Sequence, residues 1–190
     1  MAEDREVLAH HEAGHAVIAH FLGIVVERVT IQSDGRAAGH VEHDYGCNMN
    51  KMAHADGPKR QWVLERKAII ALAGEVAQRR FNAESVEDEH GGGDRLAVDQ
   101  VLSHLVGPGD LELRNAWHNV LLLRTERLVA EHWSAIDWLA KLLLKRTTIE
   151  KPEEIQEAIA DALLPLEHRG KRLSFSDRLA LAETKPLKRR

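Results

Sequence analysis

The sequence predicts a mainly α fold (α+β) that carries one small antiparallel β-hairpin. Three observations predict it. Most of the chain consists of long segments with apolar residues at helical spacing, divided by Gly, Pro and Asn clusters. One short β-branched run, Val25 to Ile31, is followed by a turn signal and a second short run. No internal repeat or low-complexity block interrupts this pattern. The chain has 190 residues, 44% hydrophobic and 29% charged, which suits one domain with a real core.

Each element has its own justification. Val7, Leu8, Val17, Ile18 and Phe21 place a helix over Glu3 to Leu22, with Gly23 set to end it. Val25, Val26, Val29, Thr30 and Ile31 predict a strand. Ser33-Asp34-Gly35 is a turn signal, and Gly39, Val41 and Glu42 form a returning strand. Residues 44–58 read as a loop. A second helix starts near Pro58 and runs to about Phe81, with Trp62, Leu64, Ile69, Ile70, Leu72, Ala73 and Val76 on its buried face. Asn82 to Gly93 reads as a polar loop. Asp94 then stands at an N-cap position, and Leu96 to Val106 continues as a helix until Gly107-Pro108-Gly109-Asp110 breaks it. Leu111 to about Lys145 reads as one long helix or a helical hairpin. Thr148 to Leu164 reads as a final helix with Pro152 and Glu153 in its first turn.

Composition excludes several classes. No stretch offers the about 20 apolar residues of a membrane span. The acidic start, Met1 to Glu6, is unlike a secretory signal, and the single Cys47 leaves no internal disulfide. A cytoplasmic protein without a transmembrane segment is expected. The net charge is −4, but residues 167–190 hold eight Lys/Arg against three Asp/Glu, a local +5 that leaves −9 for the rest. Residues 1–166 are therefore expected to form the domain, without nucleic-acid binding, and 167–190 a basic, partly disordered tail.

The unusual number is twelve histidines. Two of them form His11-Glu12-Ala13-Gly14-His15, an HExxH motif inside the first helix. Residues i and i+4 share a helical face, so His11 and His15 can converge on one ion. Glu12 can then serve as general base toward a water that Zn²⁺ acidifies to a pKa of ~7. Chance gives about 0.07 such motifs at this composition, so neighbouring residues matter. Gly14 within a helix costs ~1 kcal/mol against Ala and suggests close packing.

HEAGHAVIAHFLG, VERVTIQSDGRAAGH, AIIALAGEVAQRRF and GGGDRLAVDQV occur in an order that resembles the FtsH-type zinc peptidase domain. The likeness covers about residues 5–160 and is weaker through the last helices. It implies a zincin-like helical domain and an endopeptidase that cleaves unfolded proteins or peptides. It places the third zinc ligand on Asp94. Gly91-Gly92-Gly93 before it would permit close approach of the chain, and a carboxylate is a normal zinc ligand. A plain N-cap role for Asp94, and His90 as rival ligand, are the alternatives. The family's ATPase module and transmembrane segments have no counterpart here. A homo-oligomer or a separate ATPase partner is therefore a possible association. The family's acidic residue beyond the Ala falls on Gln78, so an outer carboxylate is missing. A non-catalytic zinc-binding module that docks a partner is the alternative function.

Zinc peptidases commonly hold substrate by strand addition. Only ten residues precede His11, so the edge must follow the motif. Glu27–Ile31 or Ala38–His43 is the candidate strand, which makes Val29, Thr30, Ile31, Gly39 and His40 the candidate substrate-binding residues. His40, His43, Cys47 and His54 form a weaker structural-zinc constellation of unfamiliar spacing.

Overall fold

The computed structural model describes residues 2–33, 39–45, 57–85, 92–107 and 109–164. Its elements run α1 (Ala2–Phe21), β1 (Val25–Thr30), β2 (His40–Asp44), α2 (Pro58–Phe81), a 3₁₀ turn (Ala83–Ser85), α3 (Gly92–Val106), α4 (Leu111–Glu131), α5 (Trp133–Arg146), β3 (Thr148–Ile149) and α6 (Pro152–Ala162). The mainly α class with a small antiparallel sheet is the architecture observed. No helix among the described residues is long and apolar enough to cross a membrane. Cys47, His54, His90 and the 167–190 tail lie outside the described residues.

α1 stops where Gly23 allows it to. Gly23 adopts φ 74°, its N–H donates to the His20 carbonyl, and the Ile24 N–H reaches back to Ala19. This paired closure satisfies carbonyls at the helix end and needs a left-handed residue. α2 is the central helix. It buries Val63, Leu64, Ala68, Ile69, Ile70, Ala71, Ala73, Gly74, Val76, Ala77 and Gln78 because α1, α3 and α4 pack around it. α1 and α2 cross closely at small residues. A Cβ on Gly14 would lie 2.6 Å from the Ala73 carbonyl oxygen and 2.7 Å from the Ala77 Cβ. The close packing expected at Gly14 is thus present.

The sheet has strand order β2-β1-β3, both pairings antiparallel. Thr148 and Ile149, expected inside the last helix, instead form β3. They pair with Thr30 and Val29, and the Thr30 and Thr148 hydroxyls lie 2.7 Å apart. Both β3 residues are β-branched, and Thr147, at φ 61°, turns the chain out of α5 before them. The last helix then begins at Pro152, whose missing N–H costs nothing at a helix start.

The Leu111–Lys145 segment is neither one helix nor a hairpin. It breaks at His132, whose N–H donates to the Leu128 carbonyl and whose own carbonyl accepts from Ala135 and Ile136. The His132 ring stacks on Phe21 at 3.6 Å between centroids, which anchors the break against the end of α1. α4 then packs on α2, whereas α5 packs on α1 and α6. The α5–α6 layer buries Ile136, Leu139, Leu143, Ile155 and Ile159 almost completely, each worth ~1.5–3 kcal/mol of transfer free energy.

Candidate metal centre

α1 projects His11 and His15 from one face, a turn apart, toward α2 and the first turn of α3. Asp94 is not the N-cap of α3. The helix begins at Gly92, so Asp94 sits in the first turn with its carboxylate aimed across at α1. The three side chains meet. His11 Nε2 and His15 Nε2 are 3.0 Å apart, and Asp94 Oδ2 lies 3.1 Å from the first and 3.2 Å from the second. These residues form a group able to hold a metal ion.

The hydrogen bonds behind the rings set their tautomers. His11 Nδ1 lies 3.0 Å from Gln78 Oε1, and His15 Nδ1 lies 2.7 Å from the Ile70 carbonyl. Both partners are oxygen acceptors, so the network assigns a proton to each Nδ1 and directs each Nε2 lone pair inward. Three electron-rich atoms then face one another at about hydrogen-bond distance, an arrangement that requires a cation among them. In the metal-free site a proton serves. Burial alone would lower the His15 pKa, but the facing Asp94 carboxylate raises it to about 9. Asp94 is correspondingly held well below the usual carboxylate range: its burial is outweighed by the two imidazoles.

Glu12 is buried beside this group, and burial raises its pKa despite His15 and His11 nearby. Its carboxylate rests against the backbone where β2 begins. A Cβ on Gly39 would lie 2.8 Å from both Cγ and Cδ of Glu12. His43, further along β2, is neutral down to about pH 4 because it is buried, with His15 and His40 as further causes. His40 is exposed and close enough to Glu12 to influence its charge.

The structure separates the expected substrate-binding residues. β1 is the middle strand. Val29 and Thr30 pair with β2 on one side and β3 on the other, and the Ile31 N–H donates to the Thr147 carbonyl. Their main chain is occupied, so Val29, Thr30 and Ile31 are not the edge. β2, with Gly39 and His40 at its start, is the edge strand among the described residues.

Three residues on α2 contribute to the centre in ways the sequence reading did not assign to them. Ile70, Gly74 and Gln78 are spaced four apart and form one stripe facing the histidines. Ile70 supplies a carbonyl, and Gln78 supplies an oxygen acceptor where the resemblance implied a carboxylate. The Gln78 amide is itself oriented by donating to the Ser85 carbonyl at 2.9 Å. Gly74 supplies space: a Cβ there would lie 2.6 Å from His15 Cε1 and 2.7 Å from His11 Nε2. A polar residue four positions after a glycine, on the buried face of the helix, was the available signal. By contrast, Gly92 and Gly93 face no atom within 4 Å, so close approach is not what they provide. Neither the protein-family models nor the curated proteins compared with the chain give a match.

Proposed function

We propose that the protein is a zinc-dependent endopeptidase acting on unfolded protein segments or peptides, with a peptidase domain of the FtsH type. The observation that carries this reading is the convergence of His11, His15 and Asp94 with Glu12 beside them. Two imidazoles and one carboxylate are a donor set that zinc takes in catalytic sites, leaving a fourth position open. Zinc–ligand bonds of about 2.0–2.1 Å at tetrahedral angles put donor atoms roughly 3.3 Å apart. The observed 3.0–3.2 Å triangle fits that requirement with little movement.

Zinc, when bound there, supplies Lewis acidity that brings the pKa of water to ~7 and polarises a carbonyl. The rest belongs to the chain. Glu12 takes the proton from the attacking water and returns it to the leaving amine, and its raised pKa suits both halves of that task. His11 and His15 keep their lone pairs inward through Gln78 and Ile70. β2, the edge strand among the described residues, runs beside Glu12 and is where an extended peptide would add.

Metal analysis and cleavage of an unstructured protein test this. The expected result is one zinc per chain, lost in His11→Ala, with cleavage reduced at least about 100-fold in Glu12→Gln. Substoichiometric zinc, or equal cleavage by the Glu12 variant, sinks the proposal. Full zinc without hydrolysis of any peptide in a broad library would replace it with a non-catalytic metal-binding module.

A further inference from the structure

We propose that Gly39 is a positioning residue for the general base: it leaves the space in which the Glu12 carboxylate sits, and it does so from the position just before the edge strand β2. This deepens the peptidase reading and rests on it.

Gly39 is not required for backbone reasons. The described glycines with positive φ are Gly23, Gly57 and Gly107, so an L-residue at position 39 meets no conformational barrier. The barrier is spatial and comes from one side chain. All three of the nearest atoms to a Cβ at position 39 belong to Glu12, with Oε1 nearest, at 2.5 Å, and Cδ and Cγ at 2.8 Å. Ordinary carbon contact begins near about 3.5 Å, so an added methyl displaces the carboxylate by more than half an ångström. Glu12 is 5% exposed, and its carboxylate cannot swing freely into water. The histidine ligands are not among these atoms; their own space is kept by Gly74, on a different helix. Two glycines on different elements therefore divide the site, one governing the metal ligands and the other the base.

The division has a mechanistic consequence. Shifting one buried carboxylate lowers stability without unfolding the domain, whereas catalysis depends steeply on placement, with ~1 Å misplacement worth about 100-fold. Gly39→Ala is therefore a separation-of-function change. Gly39 also immediately precedes His40, the residue paired with Thr30, so the seat of the base and the start of β2 are adjacent in the chain.

The experiment uses the full chain loaded with zinc, or with cobalt for spectroscopy, and a quenched-fluorescent unstructured protein as substrate. For Gly39→Ala the expected result is one zinc per chain, an unaltered cobalt spectrum, KM within about twofold and kcat down roughly 10–100-fold. The companion measurement needs no activity. In metal-free protein, Gly39→Ala should lower Tm in the native background. In Glu12→Asp, which is shorter by one methylene and makes room for the methyl, it should not. Unchanged kcat, or loss of zinc in parallel with activity, overturns the inference, and so does an additive Tm cycle. If native protein fails to cleave while the cycle shows coupling, the peptidase reading falls and the seating of Glu12 by Gly39 stands.

Discussion

Gly74→Ala gives the sharpest test of how the centre is assembled, because two well-understood effects oppose each other there. Gly74 lies within α2, where replacing glycine by alanine ordinarily stabilises a helix by ~1 kcal/mol. Here the new Cβ would lie 2.6 Å from His15 Cε1 and 2.7 Å from His11 Nε2. The nearest atom is His15 Nε2, so relief requires that ring to retreat by more than about an ångström, against a contact distance of about 3.5 Å. Neither ring can retreat while keeping its partner, since Ile70 holds His15 and Gln78 holds His11. The overpacking cost of ~1–3 kcal/mol exceeds the helix gain, so the sign of the stability change reverses. Metal sites tolerate displacements of only ~0.2 Å, so zinc affinity should fall by about 100-fold or more. Competition against a chromophoric chelator reads the affinity, and urea denaturation in EDTA reads the stability. Gly93→Ala is the control: it lies in the first turn of α3 with no atom within 4 Å and should be neutral or mildly stabilising. Zinc affinity within about threefold of native, together with a raised unfolding midpoint for Gly74→Ala, would refute the steric argument.

Three further outcomes follow from the same geometry. Gln78→Leu removes the acceptor for His11 Nδ1 and should weaken zinc by about 10–100-fold in chelator competition, while Gln78→Glu restores an acceptor and should recover affinity; equal loss in both variants would show that packing, not hydrogen bonding, matters. Zinc affinity should rise with pH up to about 9, because the ion must displace the proton held by His15 against Asp94. In EDTA the stability from that proton is fully present below pH 6.5 and lost as pH rises through about 9, so denaturation midpoints that do not fall across that window contradict the His15 assignment. Gly14→Ala should cost ~1–3 kcal/mol in metal-free protein by forcing α1 from α2, and an unchanged midpoint would mean that the helices do not cross as closely as described.

The fold was legible wherever local chemistry decided the outcome. Gly23 ends α1 because a left-handed residue is needed there, and the α1–β1–β2 order follows the change from helical to alternating apolar spacing. It was less legible where a distant partner decided. Thr148 and Ile149 sit between two helices in sequence, and only Thr30 and Val29, more than a hundred residues earlier, make them a strand. The break at His132 likewise depends on Phe21 offering a ring to stack on. The length of the segment admitted a division, but helical spacing on both sides of His132 gave no reason to place it there.

The centre shows the same division in sharper form. His11, Glu12 and His15 can be found because their spacing states their geometry: one helix face and one turn. Asp94 was reachable through resemblance, yet the physical reason attached to it, close approach through the preceding glycines, does not hold at Gly92 and Gly93. The glycines that are crowded against the site, Gly39 and Gly74, are on other elements. A ligand announces itself by donor atoms, whereas a residue that serves by having no side chain leaves no chemical mark of its own. Its role exists only relative to the atoms that fill the space, which for Gly74 are the two histidines and for Gly39 the carboxylate of Glu12. Gln78 is the intermediate case. Compared with a carboxylate it looks like a loss, but what His11 needs at Nδ1 is an oxygen acceptor fixed in direction. A buried amide oriented by the Ser85 carbonyl meets that need without adding charge. A neutral acceptor also adds no charge behind His11, so with Asp94 as the carboxylate of the candidate group among the described residues, a divalent ion there would keep net positive charge and lower the pKa of water.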